Sequence, residues 1–183
     1  MKRVAILLFL IFVVFSSGCA TNDSNDSGPV VEPGDYISVN YTGRLTDGTV
    51  FDTSVEQIAI DSGVYNPQRN YKPLDFVAGT GMMIAGFDSA VIGMAVGDEK
   101  TVTIPPEEAY GPFLPALLIN IPQEDFVEVN ITPVIGQKVT YQGQVGTITD
   151  ISGDNVSVDR NHRLAGETLV FTIEVVSIES SNA

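Results

Sequence analysis

Apolar residues recur at helical spacing over one short stretch, Met83, Ile84, Phe87, Ala90, Val91 and Met94, and at strand spacing over most of the rest. One short amphipathic helix has no second helix to cover its stripe, so it must lie on a sheet. Candidate strands are plain. Residues 36–45 alternate apolar and polar, and a Thr46-Asp47-Gly48 turn leads into a second strand over 49–53. Residues 74–77, 99–104 and 169–178 supply three more, with Pro105-Pro106 ending the fourth. Residues 55–62 hold a further short helical turn. The expectation is an α+β fold, an antiparallel sheet wrapped on one short helix.

Residues 113–159 read differently. Strand-like pieces at 126–131, 137–141, 145–151 and 155–158 are separated by Gly and Pro. A unit of about 45 residues is below the size at which a core is comfortably stable alone. It is therefore expected to be a small all-β domain inserted into the larger one, which takes residues 35–112 and 160–179. Val127, Val129, Ile131, Val134 and Ile135 are its candidates for exposed apolar strand edges that grip other chains, or for its own small core.

The N-terminus has the layout of an export signal. Lys2 and Arg3 precede an unbroken apolar run from Val4 to Phe15, too short to span a bilayer comfortably. Ser16-Ser17-Gly18-Cys19 follows, and small residues before a lone Cys resemble a lipobox, although Ser16 stands where Leu is usual. Residues 1–19 are expected to be a signal peptide with lipidation at Cys19, and residues 20–34, polar with two prolines, a flexible linker. Ordinary cleavage nearby and an uncleaved anchor are the alternatives. All three place the rest of the chain outside the cytoplasm, attached to the membrane in the first and last. Sequons at Asn22, Asn25, Asn40, Asn130 and Asn155 fit an exported protein without establishing one.

A net charge of −14 repels phosphate backbones, so no nucleic-acid partner is expected. One Cys and one His, with no Cys- or His-rich tract, argue against a metal site, and no cofactor is expected. A monomer is expected.

Several segments, in order from Asp35 to Ile178, resemble the FKBP-type peptidyl-prolyl cis-trans isomerases. Val39-Asn-Tyr-Thr-Gly43 with Gly48-Thr-Val-Phe-Asp-Thr-Ser54 is similar to the family's opening strand pair. The run from Gly79 to Asp88 is similar to the loop and helix that floor its pocket, and Gly93-Met94 with Gly97 to Lys100 to the helix exit. The run from Ile104 to Gly111 is similar to the strand entering its flap. Residues 161–171 resemble the return from a flap insert in the long, SlyD-like subfamily, whose insert binds unfolded chains. Leu74 stands where an aromatic is frequent, Phe87 where Trp is frequent, and Arg163 where Pro is frequent; the metal-binding tail of some members is absent.

The resemblance implies X–Pro isomerisation, with proline-containing or unfolded polypeptides as clients. It places Tyr41, Phe51, Leu74, Phe76, Met83, Ile84, Phe87, Leu169 and Phe171 around an apolar bowl. The Ile84 N–H and the Tyr110 hydroxyl become donors to substrate, and Asp52 either orients the Tyr41 hydroxyl or acts on the twisting carbonyl, with Arg69 as its pair. His162 is expected to cap or pack the insert's return strand. Rotation about an amide breaks no covalent bond, so no nucleophile is needed.

Overall fold

A computed structural model describes residues 28–180. The basic start, the apolar run, Cys19, Asn22 and Asn25, which carry the expected signal, lipidation and two of the sequons, lie outside the described residues.

Two antiparallel sheets organise the chain. The larger has five strands: β1 (Tyr36–Leu45), β2 (Val50–Thr53), β3 (Leu74–Val77), β4 (Glu99–Ile104) and β9 (Leu169–Glu179). β1 and β9 pair along their whole length, from Tyr36 opposite Glu179 to Leu45 opposite Leu169, and β4 adds to the far side of β9. β2 and β3 pair with opposite halves of β1. α1 (Glu56–Asp61) follows β2, and α2 (Ala85–Val91) lies on the inner face.

Alternation decides which side chains meet α2. Ile37, Val39 and Tyr41 from β1, and Leu169, Phe171, Ile173 and Val175 from β9, turn inward with Phe76 and Ile104. They close on Phe87, Ala90 and Val91. Close approach of α2 to β4 requires Gly86, since a Cβ there would lie 2.5 Å from Cγ2 of Ile104. The helix is shorter than its apolar repeat: Ile84 is its N-cap, Ile92 is already extended, and Met94 packs from beyond the end.

The smaller sheet, ordered β5-β8-β7-β6, comprises β5 (Leu118–Pro122), β6 (Lys138–Tyr141), β7 (Gln144–Ser152) and β8 (Asn155–Asp159). With α3 (Gln123–Glu128) it encloses a second cluster of Ile121, Phe126, Ile148, Val156 and Val158. Its entry and exit are laced together. Leu114 N–H donates to Asn161 Oδ1 at 2.9 Å, Asn161 Nδ2 donates back to Leu114 O at 3.1 Å, and Gly166 N–H donates to Gly111 O at 2.9 Å.

Three sequence expectations are corrected. Residues 126–131 do not form a strand: Pro122 caps α3, and Glu124 and Asp125 occupy its first turn, where a helix favours acids. The insert is thus a sheet with one short helix, and Val127, Val129 and Ile131 lie on α3 and the turn after it rather than on a strand edge. Residues 118–122, overlooked in the sequence, form β5. The tether ends sooner than residue 34, for Val31 is in the main core at 1% exposure, donates its N–H to Met94 O and accepts from Gly93.

Candidate functional site

Between the end of α2, the β1–β2 edge and the flap entry lies a cavity of about 260 Å³ lined by Tyr41, Phe51, Asp52, Leu74, Met83, Ile84, Phe87, Tyr110 and Phe171. Nine of the eleven bowl and donor residues expected from sequence meet there. Phe76 and Leu169 do not: both are fully buried beneath the wall, in the core.

The walls are aromatic and set at fixed angles. Phe87 meets Phe171 edge-on at 5.2 Å between ring centres, Phe51 meets Phe171 at 5.6 Å, and Tyr41 meets Phe87 at 5.9 Å. Each edge-to-face pair is worth about 0.5–1.5 kcal/mol beyond its burial. Gly43 makes this arrangement possible. A Cβ there would sit 2.6 Å from Cζ of Phe51 and 2.9 Å from Cε1 of Phe171.

One rim of the bowl is polar. The Tyr41 hydroxyl donates to Asp52 Oδ2 at 2.7 Å, and Arg69 Nη2 donates to the same hydroxyl at 3.0 Å. Arg69 Nη1 also pairs with Asp52 Oδ1, which accepts the Thr53 N–H at 2.9 Å. Burial, then the hydrogen bond and charge of Asp52, push the Tyr41 phenol up to about 12. It therefore stays protonated at any working pH. Of the roles open to Asp52, orienting Tyr41 is the one the geometry realises, and Arg69 is the pair expected for it. The network holds one wall of the bowl rigid and spends its own polar groups in doing so.

Both donors expected from sequence remain free for a ligand. The N–H of Ile84, at the N-cap of α2, has no acceptor among the described residues, as expected where a helix begins. The Tyr110 hydroxyl likewise makes no hydrogen bond among the described residues, and its ring stacks on His162 at 3.8 Å. His162 Nδ1 accepts the Leu164 N–H at 3.2 Å, a contact within the turn that precedes β9 rather than with the strand itself.

Sequence reasoning missed Asp88. Its two carboxylate oxygens accept the N–H groups of Gly79 and Gly81 at 2.8 Å each, tying down the loop that carries Met83 and Ile84. The available signal was an acid in the first turn of a helix just after a Gly-Thr-Gly loop.

Two larger cavities belong wholly or partly to the insert. One of about 490 Å³ lies between α3 and β6, among Ile121, Phe126, Val129, Ile131, Val139 and Tyr141. Another, of about 530 Å³, lies where the insert's sheet meets the loop that leaves it, among Thr147, Thr149, Asn161 and Arg163.

The model of the FKBP-type peptidyl-prolyl cis-trans isomerase family matches residues 28–176. A short-type peptidyl-prolyl cis-trans isomerase of Methanocaldococcus jannaschii is 42% identical over 154 residues, covering 84% of this chain and 98% of that protein. The SlyD isomerase of Vibrio cholerae is 35% identical over 82% of this chain and 70% of its own length. An FKBP-type 16 kDa isomerase of Escherichia coli is 29% identical, covering 81% of this chain and 94% of that protein.

Proposed function

This chain belongs to the FKBP-type peptidyl-prolyl cis-trans isomerase family, and on that premise we propose that it is a membrane-tethered folding helper for exported proteins, rotating X–Pro bonds in the bowl while the insert holds the client. The isomerase activity follows from the family. The location, the tether and the division of labour are the proposal.

The observation that carries the mechanism is an apolar bowl with the Ile84 N–H and the Tyr110 hydroxyl left without acceptors at its edge among the described residues. Amide resonance sets a barrier of about 18–20 kcal/mol, which makes X–Pro exchange slow. As the bond twists it loses double-bond character, and its carbonyl oxygen sheds negative charge. A bowl of Phe51, Phe87 and Phe171 disfavours the planar, polar ground state relative to the twisted one. The Ile84 N–H and the Tyr110 hydroxyl are placed to hold the carbonyl through the rotation. Preorganised walls matter because rotation yields no new bond to offset reorganisation of the site.

The groove beside α3 supports the holding role. Val127 and Val129 are 69% and 62% exposed, and Val134 and Ile135 continue the apolar surface at 58% and 61%. An unfolded segment held there turns the encounter with the bowl into a tethered step, at an effective concentration in the millimolar range. That surface also favours a second reading, a holdase with little turnover.

Deletion of residues 113–159, bridged by a short Gly-containing turn, separates the two. Tetrapeptide turnover should stay within about tenfold, because so short a substrate cannot reach both sites, while proline-limited refolding of a whole protein falls much further. Equal losses on both substrates would reduce the insert to a prop for the bowl. Phe51→Ala should do the reverse and depress tetrapeptide turnover in protein that remains folded. The tether rests on Lys2-Arg3, the apolar run and Gly18-Cys19. Mass spectrometry of the mature protein should find Cys19 first and carrying a lipid; any other N-terminus removes the lipoprotein reading.

A further inference from the structure

The cavity of about 530 Å³ at the insert's base is unlike the other two. Lys138, His162 and Arg163 line it, together with Thr147, Thr149, Asn161 and Asp159. It gathers two cations, Lys138 and Arg163, against one carboxylate, in a chain of net charge −14. Most other cations of the described residues are occupied. Arg69 and Lys72 pair with Asp52 and Asp75, Lys100 donates to Ala90 O, and Arg160 donates to Gln144 and to Tyr141 O. The Lys138 ammonium makes no hydrogen bond or ion pair among the described residues, and the Arg163 guanidinium makes only a long contact of 3.5 Å to Phe51 O. The one carboxylate in the lining, Asp159, accepts from the Asn161 N–H and Nδ2 at 2.8 Å each and so is turned to the return loop.

The cleft borders the bowl on one side and the edge strand of the insert on the other. Its His162 stacks on Tyr110 of the bowl, its Arg163 reaches the backbone of Phe51, and its Lys138 is shared with the apolar groove beside α3. The cleft lies on the face of the smaller sheet turned away from α3, so a polypeptide with its X–Pro bond in the bowl meets it past Arg163 rather than by way of the groove. We propose that the cleft is an acidic-residue subsite, in which Arg163 and Lys138 take the carboxylate of an Asp or Glu flanking the X–Pro bond. This rests on the isomerase reading of the bowl.

The rest of the protein repels an acidic ligand, but at about 0.1 M salt charges beyond roughly 10 Å are screened, whereas a contact pair is screened much less. A local preference for acid should therefore survive the chain's overall charge. Arg163 offers a planar fork suited to a carboxylate, with Lys138 as a second point charge.

The test uses the full chain and peptides of one length with a single X–Pro bond, in which one Glu or one Gln is walked outward from that bond. Turnover and, separately, affinity by fluorescence anisotropy are measured on each pair. At one register Glu should be preferred over Gln by about three- to tenfold, as for a partly exposed ion pair. Arg163→Gln with Lys138→Gln should bring that ratio to about one, leaving turnover of the Gln peptides within about twofold. No preference at any register, or a preference that survives the double variant, overturns the subsite. Absence of turnover on every peptide would sink the isomerase reading, and the affinity ratio would still decide the subsite.

Discussion

The two sheets put similar residues to opposite uses. The larger closes sixteen side chains, from Val31 to Val175, into one core around α2. The smaller closes five, and partly buried Ile119, Val139, Tyr141 and Ile151 fill in around them. Of seventeen large apolar residues left exposed among the described residues, nine fall within residues 113–159, including Val127, Val129 and Val145. A bowl that works by fixed shape needs stiff walls, and close packing supplies them. A surface that must accept unrelated chains needs apolar area left in water, and a thin core leaves it there. The difference in packing thus matches the proposed difference in task.

The comparison breaks first in the cores. Phe76→Ala should cost about 3–5 kcal/mol, the usual range for a fully buried Phe. Ile148→Ala in the insert should fall at the lower end of its range, about 2 kcal/mol, because a five-residue cluster relaxes around the gap. Chemical denaturation reads both, and equal costs would mean that the insert is packed as firmly as the main unit. Next comes Gly43→Ala, whose Cβ would displace Phe51 or Phe171 at a strain of about 1–3 kcal/mol. Peptide turnover should drop by more than the stability loss explains, and unaffected turnover would show that the bowl tolerates a shifted wall.

Smaller effects sharpen the contrast. Val129→Ser with Ile131→Ser should change stability by no more than about 0.5 kcal/mol per site, as exposed positions do. Suppression of client aggregation should nevertheless weaken, and its persistence would exclude the groove from client holding. The smallest effect is a pH dependence. Burial, then the charge of Arg163, hold the His162 imidazole below its ordinary value. The folded chain thus binds this proton less readily than the unfolded one. The stabilising contribution is present above the ordinary histidine range and is lost as pH falls through it toward the lower folded value. Thermal midpoints measured downward from pH 8 should fall slightly more for the parent than for His162→Phe; parallel curves would leave His162 without a role in the acid limb.

Much of the main unit was legible because its signals are local and agree. Residues 74–77 and 99–104 become strands with the bounds that their alternation and flanking Gly and Pro indicate. The bowl was legible through motif order, which no periodicity supplies: Tyr41, Ile84 and Phe171 are far apart in sequence and meet only in three dimensions. Phe76 and Leu169 show the limit, since an apolar residue beside a pocket and one beneath it look alike in sequence. The insert was less legible for a physical reason. Phe126, Glu128, Asn130 and their neighbours alternate like a strand, yet an acidic first turn after Pro122 makes a helix, and one buried Phe126 is all the packing that it needs. Val31 carried no signal because two adjacent valines between prolines have no period at all.

The lacing of Leu114 to Asn161 makes the insert's two ends neighbours, and the main core draws none of its sixteen side chains from between those two residues. Such a segment is free to drift under selection on its own schedule. Recombination could trade it for another hairpin-ended module with a different client range while the bowl passed unchanged from one lineage to the next.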